Sequence, residues 1–112
     1  MTTLEYTIFN ENTKYTKLFN ILESYQGYIN TDNKYHGIGH IKYMSNLNPV
    51  DTYDGDFINS EYSGNGKIIY KSGEIYIGEV ENSKRHGNGS MYLSNGKYLY
   101  NGIWVNDTIN KP

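Results

Sequence analysis

One five-residue pattern recurs along this chain and constrains what the chain can fold into. The pattern Tyr-x-Gly-x-bulky appears as YDGDF, YIGEV and YNGIW, starting at Tyr53, Tyr76 and Tyr100. A Gly-x-Gly segment follows each of the first two copies after six intervening residues. These segments are GNGKIIYKSG and GNGSMYLSNG. A looser copy, YQGYI followed by GIGHIKYMSN, starts at Tyr25. The chain is therefore predicted to be a short array of one repeated unit.

Side chains within each copy alternate with a period of two residues. In the first clear copy, Tyr53, Gly55 and Phe57 would share one face of a strand, with Asp54 and Asp56 on the other. Such alternation is typical of a half-buried strand in an antiparallel sheet. Because the Gly-x-Gly segments alternate in the same way, each repeat is predicted to be a β-hairpin.

The turn between the first two clear copies predicts how their strands align. Lys71-Ser72-Gly73 suits a three-residue loop whose last residue takes a positive φ. That loop would pair Ile68 with Tyr76.

The next turn must accommodate one additional residue, which would otherwise move every following side chain to the wrong face. Asn95-Gly96 is a preferred sequence for a two-residue type I′ turn. A shorter turn of this type would cancel the insertion and pair Gly89 with Gly102.

Extending both alignments predicts three rows of residues across seven strands. Glycines form the central row, bulky residues lie on one side of it, and large and small residues alternate on the other. Aromatic rings can then lie over glycines of the neighbouring strand. The predicted fold is mainly β, an elongated, twisted single antiparallel sheet with an aromatic trough floored by glycine. The rows are Gly27, Gly39, Gly55, Gly66, Gly78, Gly89, Gly102; Tyr25, Ile41, Tyr53, Ile68, Tyr76, Met91, Tyr100; and Ile29, Gly37, Phe57, Gly64, Val80, Gly87, Trp104.

Residues 1–24 contain no glycine and follow another pattern. Residues 4–9 alternate as a short strand, and Asn12 and Thr13 are suitable caps for a following helix. Apolar residues then recur at i, i+3, i+4 and i+7, which predicts a short amphipathic helix that packs on the sheet. This helix could instead bind a partner, or it could fill the trough. Its apolar stripe is Tyr15, Leu18, Phe19 and Leu22.

The repeat pattern stops after Trp104. Residues 105–112 supply no further Gly-x-Gly, so the last strand is predicted to be an open edge followed by a tail at residues 108–112. Open edges invite pairing with another chain. Homo-oligomerisation through Ile103 and Val105 is therefore one expectation.

The composition limits the classes of partner. The net charge is −2 with acids and bases interspersed, so the chain lacks the basic stripe that nucleic-acid binding requires. The absence of cysteine excludes disulfides and thiolate metal sites. No signal-peptide pattern or run of about 20 apolar residues is present. We therefore expect a cytoplasmic location and no transmembrane segment.

Glycine use is selective. The chain has no alanine and a single arginine, Arg85, against nine lysines, which indicates drift under an AT-rich genome. Glycine codons are GC-rich, yet twelve glycines remain and all twelve occupy repeat positions. The backbone is therefore expected to need them there.

The recurring pattern resembles the MORN repeat. The spacing supports this, since Gly55 to Gly78 and Gly64 to Gly87 are both 23 residues. The resemblance covers residues 25–107 with two good copies, one loose copy and a final half.

The loose copy departs from the pattern by an extra residue before Gly37 and by an insertion at residues 46–51. The resemblance implies an elongated twisted sheet of stacked hairpins. It also implies an interaction or dimerisation module, in some proteins with affinity for acidic phospholipids and in others as the non-catalytic partner of an enzyme domain. The motif residues of the family are structural, so none is carried over as catalytic.

The aromatic trough is the predicted partner-binding site. Thirteen tyrosines are more than so small a core can hide, and tyrosine serves both buried and partner-facing surfaces. The predicted function is a non-enzymatic interaction or scaffolding module. It would bind a peptide, a helix or a second copy along the trough, or a partner by its edge strand. The trough residues are Tyr53, Phe57, Tyr76, Tyr100 and Trp104.

Two alternative functions remain open. Lys84 and Arg85 form the densest basic spot and, with Lys67 and Lys71, could contact acidic phospholipid headgroups. Such binding would be weak, at about 1 kcal/mol per unopposed base. The second alternative is a small viral or mobile-element protein that sequesters a host protein or a small signalling molecule.

No catalytic or metal-binding set is predicted. His36 and His40 on one face of a strand would lie about 13 Å apart, too far to hold one metal ion. His36 and His86 occupy equivalent repeat positions, which favours a role as polar turn residues. The carboxylates fall on the outward face or in loops without an activated nucleophile, so no cofactor and no enzyme activity are expected.

Overall fold

The structure is a computed structural model that describes residues 8–10 and 12–110. Within these residues the chain forms ten β-strands and no helix. The strands lie in chain order in one open antiparallel sheet, so each pairs with its neighbours in sequence. The strands are β1 (Ile8–Asn10), β2 (Thr13–Phe19), β3 (Glu23–Asn30), β4 (Tyr35–Tyr43), β5 (Val50–Ile58), β6 (Glu61–Tyr70), β7 (Ile75–Glu81), β8 (Lys84–Tyr92), β9 (Tyr98–Val105) and β10 (Thr108–Asn110).

The sheet is an elongated ribbon with one buried face. Its principal axes measure 51 × 27 × 21 Å, which confirms the predicted elongated, mainly-β single sheet. Every buried apolar side chain comes from the face that carries the central glycine row, called here the interior face. These side chains are Tyr25, Ile29, Ile41, Tyr53, Phe57, Tyr62, Ile68, Tyr76, Val80, Met91 and Trp104.

The predicted register of the two main rows is confirmed. The seven glycines of the central row pair with one another without interruption from β3 to β9. The bulky row pairs in the same way from Tyr25 to Tyr100. Hairpins of the same design therefore repeat from β3 onward.

Glycine is required in the central row for two steric reasons. A Cβ at Gly55 would lie 2.6 Å from the Cα of Gly66, so the paired backbones approach more closely than a side chain permits. A Cβ at Gly66 would lie 2.3 Å from Cε1 of Tyr53, whose ring covers that glycine. The prediction that rings lie over neighbouring glycines is thus confirmed.

The third predicted row is only half right, because each Gly-x-Gly begins with a β-bulge. Gly37, Gly64 and Gly87 have φ of 99°, 112° and 86°, which the ladder does not accommodate. They pair as predicted with the following strand but not with the preceding one. The residue two positions earlier takes that place, giving the pairs Ile29–Tyr35, Phe57–Tyr62 and Val80–Arg85.

The predicted type I′ turn at Asn95-Gly96 is wrong. Of the two residues only Gly96 has a positive φ, and Leu93 N donates to Lys97 O at 2.9 Å, as in the three-residue loop ending at Gly73. The additional residue is absorbed instead by a bulge in β9 at Leu99. A bulge restores the alternation without shortening the turn.

Two-residue turns occur at the other ends of the hairpins. Both central residues have positive φ at Asn59-Ser60, Asn82-Ser83 and Asn106-Asp107, as a type I′ turn requires. Asparagine and aspartate tolerate this conformation better than other non-glycine residues. The asparagine at the first position of each turn is therefore the sequence feature that indicates these type I′ turns.

The predicted N-terminal helix is wrong, because Thr13–Phe19 is strand β2. This strand pairs with β3 along all seven residues, with Leu18 on the interior face and Phe19 on the other. An isolated helix of this length is marginal, whereas a seven-residue ladder satisfies the backbone groups of β3. The trough is not filled by a helix from any part of the chain that the structure describes. Of the strand predicted at residues 4–9, residues 8–9 belong to β1 and residues 4–7 lie outside the described part of the chain.

The predicted tail at residues 108–112 is also wrong in part. Thr108–Asn110 is strand β10, which pairs with residues 103–105 through the Asn106-Asp107 turn. Ile103 and Val105 are therefore paired and do not form the open edge that was predicted for them.

Replacing a central-row glycine with alanine should destabilise the sheet strongly. In Gly66→Ala the new methyl group meets the buried ring of Tyr53, and we expect the free energy of unfolding to fall by about 3 kcal/mol. Gly96→Ala is the matched control, because nothing lies within 4 Å and only its φ of 86° is unfavourable. That change should cost about 1 kcal/mol. Urea unfolding measures both, and equal losses would contradict the ring-over-glycine packing.

Candidate partner-binding edge

The five residues of the predicted trough are packed as a core. Tyr53 and Tyr76 are 0% exposed, Phe57 and Trp104 are 2% exposed, and Tyr100 is half-buried. Side chains this deeply buried cannot form the contact surface for a partner on the folded sheet. The trough is filled by the chain's own side chains.

The trough is filled by the side chains that stand two residues before the first glycine of each Gly-x-Gly. Tyr35 stacks on Tyr25 and Tyr62 stacks on Tyr53, each pair with ring centroids 3.8 Å apart and planes within 7°. In the third hairpin Arg85 occupies the equivalent position and lies over Trp104, 4.6 Å from the ring centroid. The sequence carried this signal, since all three residues stand two positions before the first glycine of Gly-x-Gly.

Each core tyrosine of the bulky row is also held by a hydrogen bond. Tyr53 Oη donates to Asp56 O at 2.7 Å, and Tyr76 Oη donates to Glu79 O at 2.5 Å. Tyr25 makes the same bond to Tyr28 O at 2.6 Å. Burial raises the pKa of the Tyr76 phenol to about 12 and raises the pKa of Tyr53 further. The rings are therefore fixed above the glycines as neutral phenols.

The predicted headgroup-binding lysines and arginine do not form one cationic cluster. Lys71 Nζ donates to Asn48 O at 3.0 Å and to Val50 O at 2.8 Å, and so fastens the long loop before β5. Arg85 Nε lies 3.1 Å from Asp107 Oδ1. Lys67 and Lys84 are exposed, and Lys67 lies on the face opposite to Arg85.

The histidines act within the sheet. Nδ1 of His36 accepts from Asn59 N at 3.2 Å, and Nδ1 of His86 accepts from Asn106 N at 3.3 Å, so each supports a type I′ turn. His40 Nδ1 lies 2.5 Å from Asp54 Oδ1 on the outer face. No group of three or more His, Asp or Glu side chains that could hold a metal ion occurs in the described part of the chain.

Among the residues that the structure describes, the last hairpin is half-formed. β9 has eight residues, but β10 pairs only with residues 103–105. In the preceding hairpins the second strand also covers the bulky and glycine positions of the first. Within the described residues, no strand lies beside residues 98–102 on the side away from β8. We call residues 98–102 of β9 the acceptor edge.

The backbone of Asn101 points out of the acceptor edge. Residues that flank a two-residue turn form a hydrogen-bonded pair, so the N–H and C=O of Val105 point toward β10. Direction alternates along an antiparallel strand, so the N–H and C=O of Ile103 and Asn101 point the same way. Ile103 is paired with Asn110, whereas no described strand faces Asn101.

The side chains at the acceptor edge are partly exposed. Tyr98 is 53% and Leu99 is 41% exposed. Tyr100 is half-buried and stacks on Trp104 with centroids 6.1 Å apart, whereas its equivalents Tyr53 and Tyr76 are fully buried. The edge therefore offers both backbone groups and apolar surface.

A second apolar surface lies at the other end of the ribbon. Phe19 at the end of β2, Ile21 in the following turn and Leu47 in the loop before β5 are 87%, 90% and 96% exposed. Met44 N donates to Leu22 O at 2.8 Å, which brings these two turns together. This surface is separated from β9 by several strands, so the two regions can be altered independently.

Residues 53–75 and 76–98 each match the family model of the MORN repeat. The chain has no match among curated proteins. MORN repeats are generally protein- or membrane-interaction modules and are typically non-enzymatic. Among residues 8–10 and 12–110 there is no helix that could span a membrane.

Alkaline pH should unfold the protein through its core tyrosines. The pKa of Tyr76 is about 12 in the folded chain and about 10 when unfolded, so the native state holds this proton longer. The resulting stability is complete below pH 10 and is lost as the pH rises toward 12. Tyrosinate absorbance and circular dichroism should change together in one cooperative step.

Two phenylalanine variants test the assignment. Tyr76→Phe and Tyr53→Phe each remove a buried ionisable phenol, and each should lower the dependence of the unfolding free energy on pH in this range. Gradual titration of all tyrosines with the sheet intact would contradict the burial described above.

Proposed function

Because this chain is a MORN-repeat protein, we propose that it is a non-enzymatic interaction module that binds an extended segment of a partner protein at the acceptor edge. The observation that carries this proposal is the half-formed last hairpin. The partner segment would add as a further strand beside residues 98–102.

Backbone pairing would supply the first part of the binding energy. The N–H and C=O of Asn101 point toward the edge, and strand addition gives such groups protein partners. The two ends of the gap are closed by the turn at residues 94–96 and by β10. These boundaries favour a short segment over a long strand.

Aromatic contacts would supply the second part. On the interior face, such a strand would lie beside Tyr100, whose ring is half-buried. Its other side chains would lie beside Tyr98 on the outer face, which is 53% exposed. Tyrosine is favoured at interfaces because its large ring loses little conformational entropy.

A second copy of the chain fits this edge less well. If β9 of one copy paired antiparallel with β9 of another over residues 98–102, β10 of each copy would meet Lys97 of the other. The inner strands of a folded copy are already paired on both sides. An extended segment of another protein avoids both conflicts.

The phospholipid alternative has less support. Lys71 and Arg85 are held by backbone carbonyls and by Asp107, and Lys67 faces the other way. A charge-driven headgroup site needs unopposed cations on one surface.

Proline at position 101 should abolish strand addition while leaving the fold intact. The N–H of Asn101 faces the edge, so Asn101→Pro removes a donor to the partner but no bond to β8. A peptide with the sequence of residues 65–71 (NGKIIYK) serves as the probe, and the fluorescence of Trp104, the single tryptophan, reports its binding. The peptide should bind the parent chain and fail to bind Asn101→Pro.

Two further variants serve as controls. Asn101→Thr keeps the N–H and should retain binding, and Leu47→Ser alters the distant apolar turn and should have no effect. Sedimentation should show one peptide per monomeric chain. Equal binding to the proline variant, or dimerisation without peptide, would overturn the proposal.

A further inference from the structure

The third complete hairpin carries an arginine where the first two carry a stacked ring. In the second hairpin the ring of Tyr62 stacks on Tyr53, and its hydroxyl donates to Tyr43 Oη at 2.8 Å. In the third hairpin Arg85 takes the position of Tyr62, and its guanidinium carbon lies 5.6 Å from the ring centroid of Tyr70. A guanidinium has fewer atoms than a phenol, and a cleft of about 240 Å³ opens beside it.

This cleft, called here the arginine cleft, combines apolar walls with charged groups. Its proline and its half-buried tyrosine ring supply apolar surface. Its lysine and arginine supply N–H donors that carry positive charge. The lining residues are Pro49, Tyr70, Lys71, Ser72, Glu74 and Arg85.

Within the described part of the chain, Arg85 uses only one edge of its guanidinium fully. Its Nε and Nη2 donate to Oδ1 and to O of Asp107, both at 3.1 Å. The acceptor at Nη1 is the sulfur of Met91, a weak acceptor 4.0 Å away. The edge formed by Nη1 and Nη2 therefore retains N–H donors in the fork geometry that matches a carboxylate.

Packing fixes the orientation of this fork. The guanidinium carbon of Arg85 lies 4.6 Å from the ring centroid of Trp104, and the arginine side chain is 21% exposed. A guanidinium that is already held in place loses little conformational entropy when a ligand binds. The chain has one arginine against nine lysines, and a lysine ammonium cannot form such a fork.

Lys71 and Glu74 complete the charges of the cleft. Lys71 Nζ donates to two backbone carbonyls, so one of its three protons remains for a ligand. Glu74 forms no ion pair within the described residues, and its carboxylate opposes an anion. Together with Asp107 and Arg85 the charges sum to zero. Directed hydrogen bonds, rather than net charge, therefore decide what binds.

We infer that the arginine cleft binds a small carboxylate whose other atoms are flat and apolar. The carboxylate accepts hydrogen bonds from Arg85 and Lys71, and the apolar portion lies against Pro49 and Tyr70. A volume of about 240 Å³ equals roughly eight water molecules of about 30 Å³ each, which is enough for a ligand the size of benzoate. This site is independent of the acceptor edge and adds a small-molecule ligand to the proposed function.

A nuclear magnetic resonance titration of the isotope-labelled full chain with sodium benzoate tests the inference. Saturable shifts are expected in the amide signals of Ser72, Gly73 and Glu74 and in the indole signal of Trp104, with a dissociation constant on the order of 1 mM. Benzamide has the same ring without the charge and should bind about tenfold more weakly or less. Absence of a saturable shift with benzoate, or equal binding of benzamide, would overturn the inference.

Three variants link binding to the named groups. Arg85→Lys keeps the charge but loses the fork, and should weaken benzoate binding about tenfold. Glu74→Gln removes the opposing carboxylate and should tighten binding about threefold. Glu61→Gln is the matched control, because it makes the same change of charge at an exposed position at the other end of β6 and should have no effect.

The glutamate pair keeps the test decisive if Arg85→Lys is unstable. Arg85 also binds Asp107, so thermal unfolding of Arg85→Lys is measured beside its affinity. The side chain of Glu74 has no such structural bond within the described residues. Equal effects of Glu74→Gln and Glu61→Gln on benzoate binding would indicate a general charge effect and would contradict a site in the arginine cleft.

Discussion

The structure depends on the contact between a tyrosine ring and the backbone of a glycine on the neighbouring strand. In three successive hairpins the ring of the bulky row lies on a glycine of the next strand and is held there by a hydrogen bond to the carbonyl three residues ahead. A Cβ at those glycines would lie 2.1 to 2.4 Å from the nearest atom of the tyrosine side chain, so the contact tolerates no side chain. This requirement accounts for the presence of glycine throughout the central row in a chain that contains no alanine.

The same contact explains how a single sheet buries a core without a second layer. Rings lying flat on glycine leave room for a second ring above them. In the first two hairpins the bulge at Gly-x-Gly delivers that ring from the second strand. The interior is thus built within each hairpin and between neighbours, as in other repeat proteins. We therefore propose that partner binding falls to the places where the described repeat is incomplete, of which the half-covered β9 is one.

Much of the fold could be predicted from the sequence, because glycine spacing and alternation report the register directly. The pairing of Gly55 with Gly66 and of Tyr53 with Ile68 needs no information beyond these two patterns. The bulges could not be predicted, since a positive φ at Gly64 leaves no mark that distinguishes it from Gly66. Tyr62 was therefore not recognised as part of the core, although its position two residues before the first glycine of Gly-x-Gly recurs at Tyr35 and Arg85.

The other errors had local causes. The apolar stripe through Tyr15 and Leu18 has helical spacing. Pairing with the backbone N–H and C=O groups of β3 outweighs this helical preference. The predicted binding trough included Tyr53 and Tyr76 because sequence shows that rings share a face but cannot show what covers them.

The most direct measurement is the proton–proton nuclear Overhauser effect between Hα atoms of facing glycines. Gly27 and Gly39, Gly55 and Gly66, and Gly78 and Gly89 approach so closely that a Cβ on the first would lie 2.4 to 2.6 Å from the Cα of the second. Strong cross-strand Hα contacts are expected for all three pairs in solution. Contacts displaced by one residue, or absent from any pair, would contradict the packing of rings on glycine.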